Sequence, residues 1–298
     1  MLATYGYMVD EVLGMLRGYT RNPEQSTHLT AALTASGTSI TVNNAAQLSR
    51  GVIEIDDELL WVDSIDQSSN VATIAPYGRG WDTSAASAHD VNTRVTFAPM
   101  FPRMRAKQAI NDTIMGLRGI LKGSGTYTFT YNSGTTGYEL PYLTDSILTV
   151  EWSSAGGTKQ WVPIRNYRLN KQAPVSDFPS TKAIEISDFV QSGRTVQVWY
   201  SMEPEVMERE SDDFEDTTGL AASCRDVVVL GAAHRLLSMV DPARLSSDSV
   251  EANMLDEKIN VGSGGAVARN VYALFVQRRE EERNRQLSER PVRAHFIK

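Results

Sequence analysis

Cysteine occurs once in the 298 residues, at Cys224. No disulfide can form within the chain, and no cysteine cluster can hold a metal. Histidine is nearly as scarce: His28, His89, His234 and His295 include no His-x-x-x-His pair, which removes the usual helical zinc pattern. No apolar run approaches the ~20 residues that span a bilayer. The opening MLATYGYMVDEV lacks the basic stretch and apolar core of a secretory leader, so the expectation is a chain made and folded in a cytoplasm, without a membrane partner. Cations are short as well, 29 Lys and Arg against 36 Asp and Glu, for a net charge of -7. A general nucleic-acid binder is normally basic. The sequence holds no Gly-x-x-x-x-Gly-Lys-Ser/Thr phosphate loop and no Gly-x-Ser-x-Gly nucleophile elbow. These absences leave no basis for expecting a catalytic residue, a cofactor or a metal, and the chain is read as not an enzyme.

What is present is a strong alternation of periodicities. Tyr5, Met8, Val9, Val12, Leu13 and Leu16 recur at the spacing of one helical face, with Thr4 placed to cap the helix and Gly18 near its end. Residues 28–100 then read as short strands with polar turns, among them Asp56-Asp57 between two β-prone runs. This is the pattern of a small barrel or sandwich. A helix follows over 101–124, with Pro102 at its start, a stripe from Ala106 through Ala109, Ile110, Ile114 and Leu117 to Leu121, and Gly123 as its stop. Residues 125–202 return to β-structure in the runs TYTFTY, ILTVEW, TKQWVPI, KAIEIS and TVQVWYSM, with Gly156-Gly157 marking a tight hairpin.

From 203 to 290 come an acidic linker and helices: TGLAASCRDVVVLGAAHRLLSM to a break at Asp241-Pro242, then Ser249 to Ile259, then, after Gly262, Gly264 and Gly265, a long helix that Pro291 ends. Cys224 on this helical run reads as a small buried thiol. Residues 291–298 form a tail. The fold class expected is α+β: a discontinuous helical bundle, begun by residues 1–27, with two inserted antiparallel β-modules. Strands and helices do not alternate, which argues against a parallel α/β sheet.

Four features carry candidate chemistry. In PYGRGWDTSAASAHDVNTRV, residues 76–95, the turn Gly78, Arg79, Gly80, Trp81 and the later His89 resemble a phosphate loop or a base with Asp82 or Asp90 as its orienter. The stretch returns to a strand and not to a helix, so it is read as a long connection: its glycines serve backbone needs, Trp81 packs and His89 makes a local hydrogen bond. Gly262-Ser263-Gly264-Gly265 loosely resembles a dinucleotide turn, but a helical segment precedes it, so a connector is the better reading. The run EPEVMERESDDFED holds eight acids and one arginine. It lacks the spacing and central glycine of a calcium loop, and Asp212, Asp213, Glu215 and Asp216 read as a solvated linker and a negative helix start, or, from charge alone, as the wall of a DNA channel. Residues 278–298 hold seven cations against four acids. Arg278, Arg279, Arg283 and Arg285 lie on a charged helix suited to an interface, and Arg290, Val292, Arg293, His295, Phe296 and Lys298 form an extended end suited to docking.

The runs YGYMVDEVLGMLRGY, SRGVIEIDDELLWVDSID, APYGRGWDTSAASAHDVNTRVTFAP and FPRMRAKQAINDTI, in that order, resemble head-proximal virion proteins of tailed bacteriophages, and the C-terminal helices resemble in layout the head-to-tail connector (adaptor) proteins. The resemblance is strongest over residues 1 to about 120. It implies a homo-oligomeric ring, usually a dodecamer, beneath the portal protein and above a downstream stopper or tail protein. DNA would pass through it without sequence-specific binding, and the tail from Arg290 to Lys298 would enter the portal. It implies location in the virion neck after assembly in the host cytoplasm. The alternatives are another neck, tail or baseplate structural protein with a glycan-binding β-module, and a cell-wall hydrolase.

Overall fold

The computed structural model describes residues 3–19, 24–154, 160–239 and 263–289. The turn expected at Gly156-Gly157, the break at Asp241-Pro242, the helix expected over 249–259, Gly262 and the tail from Arg290 lie outside them. Among the described residues are five α-helices and thirteen strands, and every strand pairing is antiparallel. The fold is α+β. Two compact units are built on Gly6–Asp112 and Thr113–Val227, with the remaining helical residues divided between them.

Helix α1 (Tyr5–Arg17) buries all six residues of its expected stripe. Thr4 does more than precede it: Thr4 bridges Asp213, and the Tyr5 amide donates to the Asp212 carbonyl at 2.9 Å. A helix of 13 residues is marginal in water by itself, and burial of its apolar face supplies what its length does not.

The first β-module comprises β1 (Ser26–His28), β2 (Ser39–Thr41), β3 (Gly51–Ile55), β4 (Glu58–Asp66), β5 (Val71–Ile74) and β6 (Arg94–Phe97), in the order β1-β6-β3-β4-β5-β2. The sheet curls until its two edges meet, where Leu29 bridges Val42 and the Thr30 amide donates to Thr41. Closing the edges removes unpaired strand groups that would otherwise recruit other strands. Leu29, Ile40, Ile53, Leu60, Val62 and Val95 fill the interior. Asp56-Asp57 makes the two-residue β3–β4 turn, with Asp56 in the left-handed region at φ 52°, which aspartate tolerates better than most residues.

Helix α2 (Arg103–Leu117) follows Pro102 as expected, but it ends earlier than expected. Gly119, at φ 80°, takes the left-handed conformation that stops the helix. Gly123 instead opens strand β7, where a Cβ would sit 2.9 Å from the Thr218 carbonyl. Leu121 is still buried, in the turn after the helix.

The second module is a sandwich. One sheet runs β10-β9-β13-β7: β10 (Trp161–Pro163), β9 (Thr144–Ser153), β13 (Thr195–Met202) and β7 (Gly123–Thr130). The other runs β11-β12-β8: β11 (Tyr167–Asn170), β12 (Ala183–Ile186) and β8 (Tyr138–Glu139). Val150, Val196 and Val198 from the first meet Ile184 from the second in a common core. Phe129 stacks on Tyr138 at 4.3 Å between ring centres.

The helical run expected over 218–239 is α-helical only from Arg225 on, after a separate short helix that ends at Thr218. Asp213 caps that short helix, α3 (Phe214–Thr218), accepting from the amides of Glu215 and Asp216, and Gly219 at φ 69° ends it. Helix α4 (Arg225–Met239) follows a single 3₁₀ turn. Helix α5 (Ser263–Glu289) starts through Gly264 and Gly265 and is not broken by them. Tyr272 of α5 packs on His234 of α4 at 4.8 Å between rings, and Arg278 of α5 pairs with Asp226 of α4 at 2.6 Å. Cys224 is buried before α4, and burial, then the nearby Glu282, pushes its thiol up to about 11, consistent with an unreactive core thiol.

Glu54 of β3 is buried at the start of α2, where it accepts from the Arg103 amide at 2.5 Å. Burial outweighs that bond and pushes its carboxyl from 4.5 to about 7. A folded-state value above the unfolded one means that stability is present below pH 4.5 and lost as pH rises through about 7. Glu54→Gln is therefore expected to match the parent in urea unfolding at pH 4.5 and to exceed it by up to about 3 kcal/mol at pH 8.

Candidate functional site

The connection between β5 and β6 is organised by one carboxylate on β4. The side chain of Glu58 is fully buried. Arg79 forks onto it, Nε to Oε1 at 2.7 Å and Nη2 to Oε2 at 2.8 Å. The amides of Gly80 and Ser87 donate to the same two oxygens at 2.9 and 3.1 Å. His89 Nε2 lies 2.8 Å from Oε2. The other ring nitrogen, Nδ1, lies 2.8 Å from Asp56 Oδ2 in the β3–β4 turn. Each ring nitrogen therefore faces a carboxylate oxygen. The His89 side chain has no solvent exposure either.

Arg79 spends its remaining donors on backbone. Its Nη1 reaches the carbonyls of Thr34 and Gly37, and its Nη2 that of Ser87, all at 2.7 Å. One guanidinium thus ties together the 33–38 turn, strand β4 and the long connection. Burial by itself would raise the Glu58 carboxyl, but the bonds from Arg79, then His89, Gly80 and Ser87, hold it at about 2.

The two glycines meet different needs. Gly80 is left-handed, at φ 60°. Gly78 is not left-handed; a Cβ there would stand 2.8 Å from the Trp61 carbonyl, where the Trp61 amide donates to the Gly78 carbonyl at 2.8 Å. Trp81 packs on Trp61 with ring centres 4.9 Å apart. The structure therefore gathers Gly78, Arg79, Gly80, Trp81 and His89 around one centre. It corrects the partners expected for His89: they are Asp56 and Glu58. Asp82 pairs instead with Arg105 at 2.9 Å; beside the expected local contact, with the Ser87 hydroxyl at 3.5 Å, the two 2.8 Å bonds of His89 reach over thirty residues back.

Sequence reasoning passed over Glu58 because it follows Asp56-Asp57 and looks like a third turn acid. The signal was its register. Glu58, Leu60 and Val62 alternate on one face of β4, so an acid stands in line with two core residues. A charge in that register must be paired.

The other sequence candidates divide by place. Asp212 accepts from the amides of Glu208 and Arg209 at 2.8 Å, Asp213 caps α3, and Glu215 accepts from Ala222 at 2.8 Å. These acids close local turns, and Asp216 beside them is exposed. On α5, Arg278 pairs with Asp226 and with Glu281, Arg279 and Arg283 with Glu280, and Arg285 with Glu282 at 2.7 Å. Glu282 is itself buried and accepts from Ser223 at 2.9 Å. Gln286 holds Lys122 at both its amide and its carbonyl, each at 3.0 Å. Arg290, Val292, Arg293, His295, Phe296 and Lys298 lie outside the described residues.

Chemically, the Glu58 centre can hold a loop in one conformation, and its two most buried members present no face to solvent. Removing one partner leaves an uncompensated buried charge. Arg79→Ala is expected to lower unfolding stability by about 3–5 kcal/mol in urea titrations. Because the Glu58 value is depressed, its contribution is present above pH 4.5 and lost as pH falls toward about 2. Glu58→Gln should flatten that acid limb. No protein-family model matches the chain, and no curated protein matches its sequence.

Proposed function

We propose that this chain is a structural subunit of a tailed-bacteriophage head-to-tail connector, a ring that joins the portal of the capsid to the tail and forms part of the DNA channel. The reading rests on the sequence resemblance set out above, and one structural observation supports it. Helix α5 is 27 residues long, about 40 Å at helical rise. On the face it turns to its own chain, the buried residues whose side chains are described are Val271, Glu282 and Gln286, with Phe275 and Val276 half-buried. Tyr272, Leu274 and Leu287 stay exposed. A helix this long with so little apolar burial of its own, and with apolar side chains left outside, has the composition of a surface completed by a neighbour. A ring of identical subunits supplies one, because each copy presents both sides of the same contact.

In this reading the Glu58 centre is a structural clamp. Through Arg79 it ties a long connection to β4 and to the 33–38 turn. The chain would act without catalysis, bind itself and the portal, and let DNA pass.

Deletion of residues 290–298 is expected to leave the thermal unfolding of the isolated protein unchanged and to abolish head–tail joining in an in vitro assembly reaction. Normal joining by the truncated chain would remove the docking role from the tail. Leu274→Asp with Leu287→Asp should leave the fold intact and eliminate rings from negative-stain micrographs; rings formed by that double variant would count against α5 as the subunit contact.

A further inference from the structure

The outer face of the four-stranded sheet in the second module has a composition unlike the rest of the surface. Antiparallel partners share a face, so the register identifies its members. Trp199 stands opposite Thr149 on one side and Thr126 on the other, Gln197 opposite Glu151 and Thr128, and Trp161 opposite Ser153. The core-facing set is the alternate one, Val150, Val196 and Val198. Two indoles are therefore presented to solvent from a field of hydroxyl and amide groups. Trp199 is 42% and Trp161 40% exposed. Among the described residues neither packs against another ring, whereas the equally exposed Trp81 lies on Trp61.

Trp199 also borders a cavity of about 430 Å³ that Thr126, Glu205, Glu215 and Asp216 help to line. Tyr142, exposed beside it, donates its hydroxyl to Glu205 Oε1 at 2.5 Å and fixes that carboxylate. The site thus pairs an aromatic platform with carboxylate acceptors and hydroxyl groups.

The charge of the face selects the class of ligand. The strands β7, β9, β10 and β13 contain no lysine or arginine, and the cavity at their end is acidic. A nucleic acid, a sulfated glycan or an anionic lipid headgroup would meet repulsion from these acids, and the strands themselves offer no cation to offset it. A neutral sugar meets what it needs: its hydroxyls donate to carboxylates in charge-assisted bonds, its remaining polar groups find threonine and glutamine, and its C–H face lies on the electron-rich face of an indole.

We infer that this face binds an uncharged oligosaccharide, with Trp199 and the adjoining cavity as the primary subsite and Trp161 as a second contact. The inference does not depend on the connector reading. By strand geometry the two indole-bearing positions are roughly 16 Å apart, four residues along the sheet and two strands across. A disaccharide reaches one of them, and an extended chain of several sugars reaches both.

The test uses the full chain and isothermal calorimetry with cellohexaose, maltohexaose and fully acetylated chitohexaose, the matching disaccharides, and heparin as the polyanion. At least one neutral hexasaccharide is expected to bind in the sub-millimolar range, more tightly than its disaccharide, and heparin not to compete. Trp199→Ala should weaken binding at least about tenfold, the scale of one lost aromatic contact, with the melting temperature unchanged. Trp161→Ala should remove the advantage of the longer sugar and leave disaccharide binding alone. Absence of binding by all three hexasaccharides at millimolar concentration, displacement by heparin, or unchanged affinity in the Trp199→Ala protein would each overturn the inference.

Discussion

A carboxylate placed in the register of a hydrophobic strand face is the constraint on which the first module depends. Glu58 lies in line with Leu60 and Val62 and has no solvent to ionise into. Its charge is stabilised by four groups: a guanidinium, an imidazole and two amides. All four, from Arg79, Gly80, Ser87 and His89, belong to the stretch that looks most like a catalytic or phosphate-binding motif when read as sequence. Their chemistry is turned inward. Arg79 pins the long connection to Glu58 and, through the carbonyls of Thr34 and Gly37, to the 33–38 turn.

The helices show how far periodicity carries. The stripe of α1 is buried residue for residue, and that of α2 through Leu117, because an apolar set at helical spacing has one economical burial. Helix ends were less legible. Both Gly119 and Gly123 are competent stops, and only the backbone of the following strand decides between them: Gly123 is needed where β7 passes within contact of the Thr218 carbonyl. Gly219 ends α3 at the very start of the run expected as one helix, whose α-helical part begins only at Arg225. Strands β8 and β11 were missed because two and four residues carry too little alternation to register. All of these depend on contacts distant in sequence, which local pattern does not contain.

Charge was legible as composition but not as geometry. The acids at 212–216 are largely helix-capping and turn-closing groups, and the arginines of α5 are matched by carboxylates, several a turn away on the same helix. Exposed pairs of this kind contribute little energy each. Glu282 and Gln286 fasten the helix to Ser223 and Lys122. The balance of seven cations and four acids over 278–298 therefore says less about a partner than the apolar side chains left outside α5.

The two β-modules treat tryptophan in opposite ways, and the contrast bears on what each is for. In the first, Trp61 and Trp81 cover each other, and the loop carrying Trp81 is clamped from beneath by Glu58 and Arg79. That arrangement uses aromatic surface to hold the chain to itself. In the second, the aromatic residues Tyr127, Phe129, Tyr138 and Trp152 already serve the core, and Trp161 and Trp199 on the opposite face add nothing to it. An exposed indole on a regular strand increases the apolar surface left in water and raises the hazard of association. Threonine at either position would suit the pleat equally well without that cost. Two such rings on strands that carry no lysine or arginine suit the proposed ligand, which needs flat apolar surface and hydrogen-bond acceptors together. That requirement separates the second module from the first, whose corresponding groups are all spent on its own backbone.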